Sequence, residues 1–400
     1  MRKQILYAPL SETATSIVNK IYVNNIVELY AAINDLANAG KTIVLAPGTY
    51  TLNPNYPNGG RLDLLHNMWL QGQPGHAELV IIDVTALPLT SYKLTDTPRT
   101  ETAPIRMGNG YNVIEWITVQ NNIPNNSIKA LIQTDINATP TTKIKVVHTI
   151  LEGSNIGLCI INRYPVNNDR IVEAEIENND IRNNAVTPAN NTVPRFATGI
   201  QVQNSHGVTG AVIRATLTGN YVHHNGNGIA VLNGAPRDTT SNENSISIKS
   251  NADRFEDNGV GVALIGASSS GAGGTASENS ILFEANGTTI RNNQGDPLPQ
   301  NTYNPGGVYA VAGFVSAAGV PGAVNNNDLK IIFKGCPIDG NIGANQIYAY
   351  GAYSLNLSGP AGSNNTNEIH LQGVSKQATD STIISDPDEI PETNTVNVFR

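Results

Sequence analysis

Charge is scarce in this chain of 400 residues: only 14% of positions are Asp, Glu, Lys or Arg, and the net charge of -8 offers no general attraction to nucleic acid or to an anionic membrane. Cysteine is nearly absent. Cys159 and Cys336 stand far apart, which excludes a disulfide framework and argues against even a single bridge. No apolar run approaches the length that spans a bilayer. The opening Met1-Arg2-Lys3-Gln4-Ile5-Leu6-Tyr7-Ala8-Pro9-Leu10 carries positive charge, but its apolar stretch is short and broken by proline, so it does not read as a secretory signal. Gly, Asn, Thr and Ser are abundant, and Val and Ile dominate the apolar set. That mixture disfavours a helical protein and fits many short strands with frequent corners.

The strands repeat. Ile181-Arg182-Asn183-Asn184, Val222-His223-His224-Asn225, Phe255-Glu256-Asp257-Asn258 and Ile290-Arg291-Asn292-Asn293 superimpose on a common asparagine, and Ile338-Asp339-Gly340-Asn341 fits the same frame. Self-similarity at roughly 30 to 50 residues is the signature of a solenoid. An alternating run precedes each copy, as in Ile246-Ser247-Ile248-Lys249, and a Gly-Ile/Val run follows, as in Gly228-Ile229-Ala230-Val231. Three short strands per coil cannot bury their apolar face alone, but stacked coils enclose a continuous core. The expected fold is all-β: a parallel β-helix of three-strand coils.

Stacking of equivalent positions gives each column a meaning. Asn184, Asn225, Asn258, Asn293 and Asn341, with Ser154 one coil earlier, are expected to form a structural asparagine ladder, since a side-chain amide accepts from one neighbour and donates to the next while tolerating a left-handed corner. Two residues before the ladder stand Glu152, Arg182, His223, Glu256, Arg291 and Asp339. Nine before it stand Lys145, Glu175, Thr216, Lys249 and Glu284. Their signs tend to alternate, as suits coils about 4.8 Å apart.

An open solenoid end invites aggregation. After an N-terminal arm of residues 1–25, Asn25-Ile26-Val27-Glu28 has capping-box spacing, and Leu29, Ala32, Ile33, Leu36 and Ala37 make one apolar face, predicting a capping helix over 26–38. The solenoid is expected to reach residue 380. Residues 381–400 would be an acidic connector and an end-cover strand.

This helix followed by Thr42-Ile43-Val44-Leu45-Ala46-Pro47-Gly48-Thr49-Tyr50, with the coils at 62–72, 79–83 and 113–121, resembles the opening of the pectin lyase-like right-handed parallel β-helix proteins. The resemblance implies right-handedness, a secreted or cell-surface bacterial setting, and a protein that acts on or binds polysaccharide. Foremost is a polysaccharide lyase acting on an acidic polymer; a glycoside hydrolase stands behind it, and the alternative is a non-catalytic structural or adhesive β-solenoid. The acidic ligand cluster of calcium-dependent pectate lyases and the Asp-Asp pair of polygalacturonase-like hydrolases are missing. No cofactor is evident: calcium is conceivable near 386–392, but no ligand cluster supports it, and no other metal site is read.

Excursions are expected after the third strand at 235–245, 267–279, 313–327 and 355–366, and after the ladder at 185–198 and 295–306. The face between the last two nominates Arg182, His223, His224, Glu256 and Arg291 as catalytic candidates: a lyase needs a cation on the uronate carboxylate and a base near the ring proton. Arg195, Asp257, Tyr303, Tyr309 and Tyr348 are candidates for binding substrate, the tyrosines as a stacking platform. Each has a plainer reading as part of a solvated charge ladder or a surface aromatic stack.

Overall fold

Alternation along Ile171–Glu177 sends Val172, Ala174 and Ile176 inward and leaves Glu173, Glu175 and Glu177 on the outside. The same arithmetic holds coil after coil. The computed structural model describes residues 19–87, 92–93, 100–101, 103–122, 130–134, 141–163, 169–184, 197–205, 207–234, 239–269, 274–294, 306–315, 323–342, 346–354, 362–375 and 393–400. Their strands form three long parallel sheets. The first has 12 strands, from Lys20–Val23 to Thr395–Phe399; the second has 9, from Gly48–Thr51 to Ile338–Asp339; the third has 9, from Leu62–Asp63 to Ile347–Ser354. Each coil returns to the same sheet as a parallel neighbour, the kind of crossover that is right-handed in nearly all proteins. The fold is a right-handed parallel β-helix with an N-terminal helix.

Like stacks on like in the core. Ile144, Ala174, Ala215, Ile248, Phe283, Ile331 and Ile369 form one buried file along the first sheet, and Leu151, Ile181, Val222, Phe255, Ile290 and Ile338 form another along the second. Both charge columns read from the sequence also fall in register. The strand count per coil differs from expectation in one region. Thr240–Asn242, Thr275–Ser277 and Val324–Asn325 make a short fourth sheet, so the segments 235–245, 267–279 and 313–327 contain strands as well as loops.

The asparagine column is a single file of buried amides. Asn184 N donates to Asn225 Oδ1 at 3.0 Å, Asn225 N to Asn258 Oδ1 at 3.0 Å, Asn258 N to Asn293 Oδ1 at 3.0 Å, and Asn293 N to Asn341 Oδ1 at 3.0 Å. Ser154 N donates to Asn184 at one end, and Gln346 Oε1 accepts from Asn341 at the other. One detail of the expected geometry changes. The left-handed residue is the one before each ladder amide: Asn183, His224, Asp257, Asn292 and Gly340 all have positive φ. Two further files went unread. Thr149, Asn179, Asn220 and Asp253 line the corner between the first and second sheets, and Asn244, Asn279, Asn327, Asn365 and Asn394 line the corner that enters the first.

Glycines 157, 199, 228 and 261 follow the principal ladder for a steric reason. A Cβ on Gly228 would lie 2.6 Å from Gly261 O and 3.1 Å from Asn258 Nδ2, so a side chain would strike both the neighbouring coil and the amide file.

At the N-terminal end the helix spans Ile26–Asn34, with Asn25 Oδ1 accepting from Glu28 N at 3.0 Å and Glu28 Oε2 accepting from Asn24 N at 2.7 Å. It is shorter than the expected 26–38. Asp35 leaves helical geometry and caps a separate 3₁₀ turn, Leu36–Asn38, which turns Leu36 out to 78% exposure. Leu29, Tyr30, Ala32 and Ile33 form the buried face instead. Lys20–Val23, within the expected arm, pairs with Thr42–Leu45 as the first strand of the sheet. At the other end Thr395–Phe399 pairs with Thr366–Gln372; residues 386–392 lie outside the described residues.

Candidate functional site

Arg182, His223, Glu256 and Arg291 are brought together as successive outward positions of the second sheet, with Asp180, Tyr221, Arg254 and Thr289 in the column beside them. Most of their charge is spent on one another. Arg182 Nε donates to Glu152 Oε2 at 2.8 Å and Nη1 to Asp180 Oδ2 at 2.6 Å. Burial opposes its charge, yet the Glu152 hydrogen bond and the Asp180 field hold the guanidinium more firmly protonated than usual. Arg254 grips Glu256 at 2.6 and 3.2 Å while lying 4.2 Å over the Tyr221 ring, and Arg291 Nε meets Asp339 at 2.6 Å. A uronate carboxylate entering here would have to displace a resident partner.

The two histidines are linked. His223 stacks on Tyr221 with ring centroids 3.9 Å apart, its Nε2 lies 2.9 Å from Asp180 Oδ1, and its Nδ1 lies 2.6 Å from His224 Nδ1. His224 reaches back because its left-handed backbone breaks the strand alternation. Asp257 has the same conformation one coil on, and His224 N donates to its carbonyl at 3.2 Å. The left-handed backbone at Asp257 likewise breaks the alternation that a regular strand would impose between it and Glu256.

The binding candidates fare unevenly. Arg195 and Tyr303 lie outside the described residues, as do 185–196 and 295–305. Tyr309 and Tyr348 are in register on the third sheet, but Tyr348 is only 5% exposed and packs with Val311 and Tyr350 in an apolar cluster, so its ring offers no open face. Among the described residues no group of three or more His, Cys, Asp or Glu could hold a metal ion. Cys159 and Cys336 are both buried and unbridged.

A different surface has the shape of a site. Tyr111, Lys143, Glu173, Arg214, Ser247, Leu282, Lys330 and Glu368 form one outward column of the first sheet. Large polar side chains fill it except at Ser247 and Leu282, and the column beside it carries Ser245 and Ser280 at the same level. Short side chains there leave a shallow trough of ≈ 280 Å³ whose lining is mostly apolar, with Val212, Ile213, Ile246, Ile281 and Leu282 beside the three serines, bounded by Arg214 on one side and Asp328 and Lys330 on the other. With coils about 4.8 Å apart, the two end cations stand about 14 Å from each other along the axis. Arg214 is only loosely held, its Nη1 3.7 Å from Glu173 Oε1 with both side chains about half exposed. Sequence reasoning passed over this face; the lapse from Glu173 and Arg214 to Ser247 and Leu282 within one column was the available signal.

No protein-family model matches the chain, and no curated protein matches it. Among solved structures it is similar to the A-module of the Azotobacter vinelandii mannuronan C-5 epimerase AlgE4, at 11% identity over 94% of this chain and 96% of that one, with a TM-score of 0.37. Pectate lyase Pel9A matches at 13% identity over 92% and 78%, with a TM-score of 0.33, and the Agl-KA catalytic domain at 12% over 98% and 70%, with a TM-score of 0.35. No residue role is carried over from them.

Proposed function

We propose that this β-helix binds an acidic polysaccharide in the trough on the first sheet. The observation that carries the reading is the trough itself: a groove the width of two coils, mostly apolar with three serines among its lining, with Arg214 at one end and Lys330 beside Asp328 at the other. Sugar hydroxyls exchange hydrogen bonds with serines, Leu282 supplies an apolar patch for a ring face, and Arg214 receives a carboxylate, whereas at the other end Lys330 is paired with Glu368 at 2.5 Å and stands beside Asp328. Arg214 gives up little in changing partners, because an exposed ion pair is worth about 0–1 kcal/mol. Farther along the same face Trp69 and Tyr111, with Lys143 5.0 Å over the Tyr111 ring, extend the surface with aromatic and cationic groups.

The test is affinity electrophoresis and calorimetry with uronate polymers, alongside absorbance of unsaturated products to detect a lyase and reducing-end release to detect a hydrolase. Ser247→Trp, which fills the trough, should abolish binding, and Arg214→Ala should weaken it at least 5-fold. Binding to none of the polymers, or undiminished binding by Ser247→Trp, refutes the reading. A non-catalytic structural solenoid is favoured by a separate observation, the mutual pairing of Arg182, Arg254 and Arg291 with resident carboxylates. On that reading substitutions at Arg182, His223 and Glu256 shift only the melting temperature.

A further inference from the structure

Trp116 and His148 occupy the corner between the first and second sheets in successive coils. From Trp116 onward every coil turns there through a left-handed residue, so the backbone by itself signals nothing; what differs is the side chain. Asn178, Gly219, Ala252, Gly287 and Gly335 hold the same corner farther along, mostly the glycine and amide residues that such a conformation favours. Trp116 is one of two tryptophans in the chain, and it stands there at a φ of 57°, with His148 at 52°.

Core packing does not account for the pair. Both residues are half-buried and outside the buried core, and their rings stack with centroids 3.9 Å apart and planes 17° apart. His148 thus covers one face of the indole. The other face looks toward the preceding coil, whose corner residue is Gly72; a Cβ there would lie 1.9 Å from Trp116 O, so no side chain can rise from that corner against the ring. The segment that leaves Gly72 passes alongside, with Ala77 O accepting from Thr118 Oγ1 at 3.0 Å, but its Pro74, His76, Glu78 and Leu79 remain exposed. Trp116 Nε1 and the His148 ring nitrogens have no hydrogen-bond partner among the described residues, and none of them is sealed from solvent. The corner therefore presents a flat apolar face with an unspent donor at its rim.

We propose that the Trp116–His148 stack is a binding platform for a neutral hexose unit of a glycan, separate from the trough and independent of what the trough binds. A pyranose has a face of C–H groups that lies against the indole, while a hydroxyl overhanging the ring edge accepts from Trp116 Nε1. His148 is a positioning residue that backs the indole and fixes its plane. The adjoining Glu115 pairs with the neutral amide of Gln71, not with a cation, so its charge stands unneutralised beside the platform and disfavours an anionic sugar.

The test is titration with cellohexaose, mannohexaose and laminarihexaose, with polygalacturonate as the acidic counterpart. In a Trp69→Phe background Trp116 is the sole tryptophan, so the emission reports this ring alone, and at least one neutral hexasaccharide should shift it to saturation at about 1 mM or below. By calorimetry Trp116→Gly, which suits the left-handed corner as Gly219 does, should weaken binding about 10-fold or more while the melting temperature stays within about 2 °C of the parent. A stack that served stability alone would show the reverse, a lowered melting temperature with binding intact. His148→Ala should weaken binding about 3-fold. Tyr22, 69% exposed, is the control aromatic, and Tyr22→Ala should leave binding unchanged. The proposal is overturned if no neutral hexasaccharide alters Trp116 emission, if Trp116→Gly binds as the parent does, or if polygalacturonate alone saturates the signal.

Discussion

Asp253 stands in the corner file after the amides of Asn179 and Asn220. Its Oδ1 accepts from Asn220 N and Nδ2, both at 2.8 Å, and its Oδ2 accepts from Ser250 Oγ at 2.6 Å, with no cation among its hydrogen-bond partners. The residue is fully buried, and burial pushes its carboxyl from 3.8 up to about 6 against the pull of the Ser250 and Asn220 hydrogen bonds. A folded-state value above the unfolded one means that the native protein holds the proton longer. Stability from this group is therefore full below pH 3.8 and is lost as pH rises through about 6. The gap corresponds to about 3 kcal/mol. Asp253→Asn should recover that amount at neutral pH, because the amide keeps the acceptor for Asn220 while its Nδ2 donates to Ser250 Oγ, whose hydroxyl can turn to Thr288 Oγ1 at 2.9 Å. Guanidinium unfolding of both proteins at pH 4 and pH 7.5 gives the measurement. The difference should be small at pH 4 and about 3 kcal/mol in favour of the variant at pH 7.5; a difference that is constant or shrinks with pH refutes the reasoning.

Four substitutions probe the rest of the scaffold. Asn258→Ala removes an acceptor for Asn225 N and Nδ2 and a donor to Val222 O and Asn293 Oδ1, and should cost at least about 2 kcal/mol in urea unfolding, since the orphaned groups are buried. Gly228→Ala drives a Cβ to 2.6 Å from Gly261 O and should destabilise by about 1–3 kcal/mol, while Gly287→Ala, with open space around its left-handed backbone, should cost only about 1 kcal/mol. Ala252 is an exposed left-handed residue without a branch or amide to favour it; Ala252→Gly should stabilise slightly, by about 0.5 kcal/mol, as relief of strain outweighs the added freedom of the unfolded chain.

Much of this architecture was legible in the order of residues alone. The recurrence of asparagine after an apolar-x-x step is a local signal repeated five times, and repetition is what turns a weak local preference into a firm register. The other two amide files were legible too, since Asn179, Asn220 and Asp253 stand five residues before a ladder asparagine and Asn244, Asn279 and Asn327 fourteen before one; they were passed over because a single Asn or Asp in a turn is a common local feature. Leu36 was misassigned to the buried face because periodicity alone does not see Asp35 capping a new turn.

The sequence by itself determined the period, the inward files of Ile, Val, Leu and Phe, and which charged residues would share a column, because side-chain alternation and stacking follow from the covalent chain and its repeat. Only the tertiary structure decided which cations were already occupied, that His224 folds back onto His223, and that Ser245, Ser247 and Ser280 open a trough. Those outcomes depend on distances between side chains of different coils and on the volume their neighbours leave empty, and no spacing along a single chain encodes either.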